Sequence, residues 1–227
     1  ERYSAEVHDR SPKTMTYDQI RLEKNAIRPD TLILPEYAEP EWPIPWWQGY
    51  DILRNEEVWV PAHAVFHPVP RIMGKLFRTS TNGIASGNTY EEAVFHSLCE
   101  LIERDAWSLV EASQNAGPAI TDVTHPVARE LLDKFKEAGV DVILRDITSD
   151  LGIPTVAAVS DDLQLRDPTL LCIGMGSHLC SEIAILRALT EVAQSRATQI
   201  HGAREDTKTT HFLSKVGYDR AKRLNKK

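Results

Sequence analysis

The chain has 227 residues, 42% of them hydrophobic and 26% charged, with a formal net charge of −7 at pH 7. That composition suits a globular protein of one large or two small domains; the acidic balance speaks against nucleic acid as a partner, and no apolar run is long enough to span a bilayer. Cys99, Cys172 and Cys180 are too few for a disulfide framework and lack CxxC pairing for zinc, and no secretory signal is present, so the expected location is cytoplasmic.

In chain order, Glu1–Val7 reads as the end of a helix cut off on its N-terminal side, and Tyr17–Lys24 as a short helix. Residues 35–48 hold Pro35, Pro40, Pro43 and Pro45 together with Trp42, Trp46 and Trp47. That proline density predicts an extended loop, its tryptophans acting as core plugs. Val58–His67 has strand character, with Pro61 favouring an edge. A Gly-containing loop, Gly83–Gly87, leads to Thr89, a good N-cap that Glu92 completes as a capping box. From Glu91 to Val110 nothing interrupts a helix. Val94, Leu98, Leu101, Ile102 and Leu109 recur at helical spacing, and Phe95, Cys99 and Ala106 widen the apolar surface, so most of this helix is expected to be buried.

A helix over Pro126–Ala138, closed by Gly139, precedes strands at Val140–Ile147, Thr155–Ser160 and Leu170–Ile173. The last runs into a Gly174-Met175-Gly176 turn, and Ser181–Gln199 is a second long helix. The basic end, Ala221–Lys227, is expected to fray. Strands alternating with helices imply an α/β or α+β layer architecture in one domain, with no linker in sight.

Each long helix carries one polar stripe. On the first it is Ser97, Glu100, Glu103 and Arg104; on the second, Arg187, Glu191, Gln194 and Thr198. Residues three and four apart share a face. One reading is an ordinary solvated i, i+4 ion pair on each helix. The other is a hard-cation site in which carboxylates and arginines from both helices meet one anionic ligand, because Mg²⁺ completes its shell with substrate phosphates and arginine binds phosphate oxygens bidentately. Standard signatures are missing: no GxxxxGK[ST], no dinucleotide fingerprint, no GxSxG elbow. His96, within the first helix, reads as a packed core histidine rather than a base, and no residue presents itself as the catalytic base.

Ser97-x-x-Glu100-x-x-Glu103-Arg104 resembles the SxxExxER signature of the YcaO proteins. Asn82 to Thr89, Gly176-Ser177-His178, Arg187 to Gln194, and Arg204-Glu205-Asp206 are similar to further blocks of that family, in the same order along nearly the whole chain. The resemblance implies an α+β fold of layered helices and mixed sheets around a helix-built nucleotide and Mg²⁺ site, in a single catalytic domain over 1–227 that is incomplete at its N-terminus. It also implies ATP-dependent activation of a peptide-backbone amide, in which a nucleophile adds to the amide carbon and ATP phosphorylates the oxygen. Glu100, Glu103 and Glu191 would ligate Mg²⁺; Arg104 and Arg187 would hold phosphates; Gln194 and the surviving stump Glu1-Arg2 would join the nucleotide set. Phosphoryl transfer needs positioning and charge neutralisation more than covalent help, which suits such a set.

The expected product is a thioamide on a peptide or protein substrate, with sulfur delivered by a TfuA-like partner; Cys99 and Cys172 are expected to be inert, and Cys180 is the one thiol near a helix start. An azoline made from Cys, Ser or Thr is the alternative, and a nucleotide-binding regulatory module without catalysis is the rival from another class. A homodimer is left open.

Overall fold

The computed structural model describes residues 12–32, 34, 41–69, 76–77, 79–201 and 215–224. The helix end expected over Glu1–Val7, the first part of the proline-rich stretch and the Arg204-Glu205-Asp206 block lie outside the described residues. The chain forms two compact units, residues 1–81 and 82–227.

In the first unit, strands β1 (Lys13–Met15), β2 (Ile44–Asp51) and β3 (Glu56–Pro61) form an antiparallel sheet in that order. Helix α1 (Tyr17–Glu23) starts at a full capping box: Thr16 Oγ1 accepts from Gln19 N–H, and the Gln19 side chain accepts from Thr16 N–H. Its Ile20 packs with Ile44, Trp46 and Leu76. Trp46 is fully buried and donates its indole N–H to Met15 O at 2.9 Å.

The predicted loop thus turns into a strand at Ile44. Proline is tolerated there because Pro45 precedes Trp46, the first β2 residue with a β3 partner, so its missing N–H removes no β2–β3 bond. β3 starts earlier than expected and ends at Pro61, where a 3₁₀ turn, Ala62–Ala64, takes over. It is the edge strand, as Pro61 suggested. Part of its outer side is covered: Trp59 exchanges backbone hydrogen bonds with Asn25 O and Ile27 N–H.

The second unit is built on an antiparallel sheet, β4 (Val140–Asp146), β5 (Thr155–Asp162) and β6 (Ile173–Ser177), in that order. Around it stand α2 (Tyr90–Ser113), α3 (Pro126–Glu137) and α4 (Ser181–His201); the short α5 (Tyr218–Leu224) follows. Both sheets are antiparallel, so the expected α+β class holds with antiparallel rather than mixed strands.

Side-chain alternation sorts the helices onto the two faces of this sheet. Val156 and Ala158 of β5 pack with Ala184, Ala188, Leu189 and Val192 of α4. Ala157 and Met175 pack instead with Ala106 of α2.

Three sequence expectations change here. The glycines before α4 belong to strand β6 rather than to a turn, and the expected strand Leu170–Ile173 is instead a 3₁₀ turn, Pro168–Leu170, leading into it. A Cβ on Gly174 would sit 2.2 Å from Val192 N, and one on Gly176 2.4 Å from Ala184 O. Glycine lets α4 lie directly on β6. Second, α2 is less buried than its leucines suggest: Leu98, Leu101 and Leu109 are 47, 45 and 48% exposed. Its buried strip is Cys99, Glu103 and Ala106, of which Ala106 packs on the sheet, so a carboxylate lies on the buried side. Third, Ala221 in the basic end is 1% exposed, within a helical turn rather than frayed.

Candidate nucleotide and metal site

β6 is an edge strand with α2 on one face and α4 on the other. The two helices come together at a cavity of about 640 Å³. Glu100, Glu103 and Arg104 of α2 line it, as do Arg187, Glu191 and Gln194 of α4, with Met175 of β6 and the loop residues Ile84, Ala85 and Ser86. Thr198 lines it too, so seven of the eight residues of the two stripes share one cavity; Ser97 is not part of its lining. Glu1 and Arg2 lie outside the described residues.

The start of α2 fixes the geometry. Thr89 Oγ1 accepts from Glu92 N–H at 3.2 Å. The Glu92 carboxylate reaches one residue further back than a capping box requires and accepts from Asn88 N–H at 2.6 Å. That bond holds its pKa below the usual carboxylate range.

About two turns later Glu100 Oε2 accepts from Gly83 N–H at 3.1 Å. On α4, Glu191 Oε2 accepts from Met175 N–H at 3.2 Å, covering a backbone donor of β6. Glu103 has no such bond. It is 6% exposed, and its nearest cation is Arg104 Nη2 at 3.5 Å. Burial first, and the Glu191 carboxylate second, push its pKa up to about 7 against the pull of Arg104 and Arg187.

The arginines are no better matched. Arg104 Nε stands 4.0 Å from Glu100 Oε1, and this buried nitrogen has no hydrogen-bond partner. The Arg187 carbonyl accepts from Thr190 Oγ1 at 3.0 Å, but its guanidinium makes no ion pair among the described residues. Three carboxylates and two guanidiniums thus face one cavity with much of their hydrogen-bonding capacity unused.

Among the described residues no three His, Cys, Asp or Glu side chains gather into a metal cage. Mg²⁺ does not need one. It is held by one or two carboxylates and completes its octahedron with water and phosphate oxygens. The orphaned Arg104 Nε and the under-neutralised Glu103 fit such a group: a cation for the carboxylates, anionic oxygens for the guanidiniums.

His96 was misread in the sequence. It is no core residue: it lines the cavity, and its Nδ1 lies 3.0 Å from Ser86 O. The signal was present, since His96 lies four residues before Glu100 on the same helical face. Met175, Thr190 and Ser195 also line the cavity. Met175 had been assigned to a turn, and the other two carry no charge to mark them. Cys99 and Cys172 are buried, and burial raises both thiol pKa values; Cys180 is exposed.

The fold and site define a class: an α+β protein whose two long helices bring carboxylates and guanidiniums together in one cavity at a sheet edge. The chain belongs to the YcaO family, whose model, described as YcaO cyclodehydratase, ATP- and Mg²⁺-binding, matches residues 1–227. An uncharacterized protein of Methanothermobacter thermautotrophicus is 50% identical over 232 residues, covering 100% of this chain and 59% of its own. A Rhizobium leguminosarum bv. trifolii protein named for its place in a tfuA 3′ region is 40% identical over 183 residues, covering 72% of this chain and 41% of its own. Among solved structures, YcaO from Methanopyrus kandleri bound with AMPPCP and Mg²⁺ superposes with a TM-score of 0.71 at 32% identity, covering 89% of this chain and 50% of that one. The chain spans roughly half the length of these relatives. No helix among the described residues is long and apolar enough to cross a membrane.

Proposed function

We propose that the protein carrying this chain binds ATP with Mg²⁺ in the α2–α4 cavity and uses it to activate a peptide-backbone amide. The observation that carries this reading is the charge pattern of the cavity: Glu103, its pKa raised to about 7 by burial and by Glu191, stands with a buried Arg104 Nε that lacks a hydrogen-bond partner and an Arg187 guanidinium that makes no ion pair among the described residues. Glu100, Glu103 and Glu191 would hold the metal, and Arg104 and Arg187 the phosphates, with Gln194 beside them. Bound there, Mg²⁺–ATP would supply the phosphoryl group that turns an amide oxygen into a leaving group. The chain's part is positional. Glu191 and Glu100 are fixed by Met175 N–H and Gly83 N–H, the guanidiniums are set on two rigid helices, and Glu103 gives up its proton when a cation arrives. The relative bound with AMPPCP and Mg²⁺ supports this reading.

For the product, the reading is a thioamide, with sulfur from an external source delivered by a TfuA-like partner. The relative named for a tfuA 3′ region supports it. The family's description as cyclodehydratase favours a second reading, azoline formation. Calorimetry on the full-length protein should show ATP binding that weakens sharply with excess chelator. Mass spectrometry of the peptide product separates the chemistries: exchange of one oxygen for sulfur is the thioamide, loss of one water is the azoline, and the latter result would replace the first reading.

A further inference from the structure

The loop that walls the cavity does not hold itself in place. Gly83 has φ of +79°, in the left-handed region, and a Cβ there would meet the Leu101 side chain at 3.2 Å. Its partners come from one face of α2. Ser97 Oγ donates to Gly83 O at 2.7 Å, and Glu100 Oε2 accepts from Gly83 N–H at 3.1 Å. His96 Nδ1 meets Ser86 O at 3.0 Å. A carbonyl oxygen only accepts, so Nδ1 carries the hydrogen in this bond. Ile84, Ala85 and Ser86, which line the cavity, are thus tethered at both ends by residues 96, 97 and 100.

These tethers are not equivalent once a ligand binds. Glu100 is assigned to the cation, and a metal competes for the oxygen that holds Gly83 N–H. Ser97 is uncharged, and its hydroxyl serves the loop. We infer that Ser97 is a positioning residue: it keeps the Gly83–Ser86 wall formed while Glu100 is drawn to the metal, so that the nucleotide meets a preorganised surface. This rests on the nucleotide reading above. Preorganisation of this kind raises affinity by removing an ordering cost from the binding step.

The test uses the full-length protein as wild type, Ser97→Ala and Ser97→Thr. Three measurements are made: calorimetric affinity for Mg²⁺–AMPPCP, hydrogen exchange of the amides from Gly83 to Ser86 without ligand, and the thermal midpoint. Loss of one hydrogen bond to a half-buried carbonyl predicts faster exchange in the loop for Ser97→Ala and about tenfold weaker binding. The midpoint should hold, and Ser97→Thr, which keeps the hydroxyl, should restore both readouts. Unchanged loop exchange in Ser97→Ala would refute the tether. Faster exchange with unchanged affinity would refute its role in binding. A large fall in midpoint that Ser97→Thr does not repair would make Ser97 structural instead. Failure of the wild type to bind Mg²⁺–AMPPCP would overturn the nucleotide reading, and this role with it, while the exchange data still decide whether Ser97 holds the loop.

Discussion

Replacing Glu103 by Gln should stabilise the ligand-free protein, and only above a certain pH. Burial and the Glu191 carboxylate raise the Glu103 pKa from 4.5 to about 7. Below pH 4.5 the group is neutral folded and unfolded, and it contributes nothing. As pH rises from 4.5 towards 7, the unfolded chain gives up a proton that the folded chain keeps, and stability falls. Above 7 the full cost stands, and the interval of about 2.5 pH units corresponds to roughly 3 kcal/mol. Gln fills the same space without charge. It forfeits only the 3.5 Å approach to Arg104.

The gain from Glu103→Gln should therefore be near zero at pH 4 and approach about 3 kcal/mol by pH 8.5. For a chain of this size that is a rise of roughly 6–12 °C in thermal midpoint. The assay is a series of thermal or urea transitions with chelator and no nucleotide. A gain that does not change with pH, or a variant less stable than wild type at pH 8, would refute the reasoning. Adding Mg²⁺ and ATP should shrink or reverse the gain, because the variant offers the cation two carboxylates, Glu100 and Glu191, where the wild type offers three.

Glu191→Gln should abolish Mg²⁺-dependent ATP binding and turnover while the midpoint of the ligand-free protein holds or rises; stability lost with activity kept would sink the metal assignment of Glu191. Gly174→Ala places a Cβ 2.2 Å from Val192 N, a backbone atom that cannot swing away, so a loss of about 3 kcal/mol or more is expected in urea unfolding. Cys180→Ser should leave sulfur incorporation intact by mass spectrometry, because the sulfur source is external; loss of incorporation with the fold retained would make that thiol a carrier.

Much of the second unit was legible because its signals are local. Pro126 and Gly139 bracket α3, and α4 has neither Gly nor Pro from Ser181 to His201. Both polar stripes were visible at i, i+3 and i+4 spacing and proved to face one cavity. What could not be read was which side of α2 is buried. Hydrophobic periodicity pointed to the leucine row, yet the buried strip is Cys99, Glu103 and Ala106. That choice is made by the strand edge, which the helix's own sequence does not encode. For the same reason Gly174 and Gly176 looked like a turn: in a strand their meaning is the backbone of α4 pressed against them, Val192 on Gly174 and Ala184 on Gly176, contacts the local sequence does not show. His96 shares the face of Glu100, and that spacing placed it on the cavity side; only the loop carbonyl it meets has no mark in the sequence.

The stripes admitted two readings, and energies decide between them. A helical Glu–Arg pair in solvent contributes about 0.2–0.5 kcal/mol. Arg104 and Glu100 fall short of that, 4.0 Å apart with Arg104 Nε unbonded. Against so small a gain stands the roughly 3 kcal/mol by which an ionised Glu103 weakens the empty fold above pH 7. Glu191 adds to that cost while binding Met175 N–H, and Arg187 offsets only part of it. As structural elements these charges are a net liability, which one neutral residue at 103 would remove. A ligand changes the sign. A divalent cation alone would answer Glu103 and Glu191 but repel Arg104 and Arg187. A bare anion would answer the arginines and push the Glu103 pKa higher still. A metal-chelated polyphosphate presents both charges at once. On the proposed reading of the cavity, Mg²⁺ and ATP should therefore bind with strong positive coupling, each weakening sharply without the other.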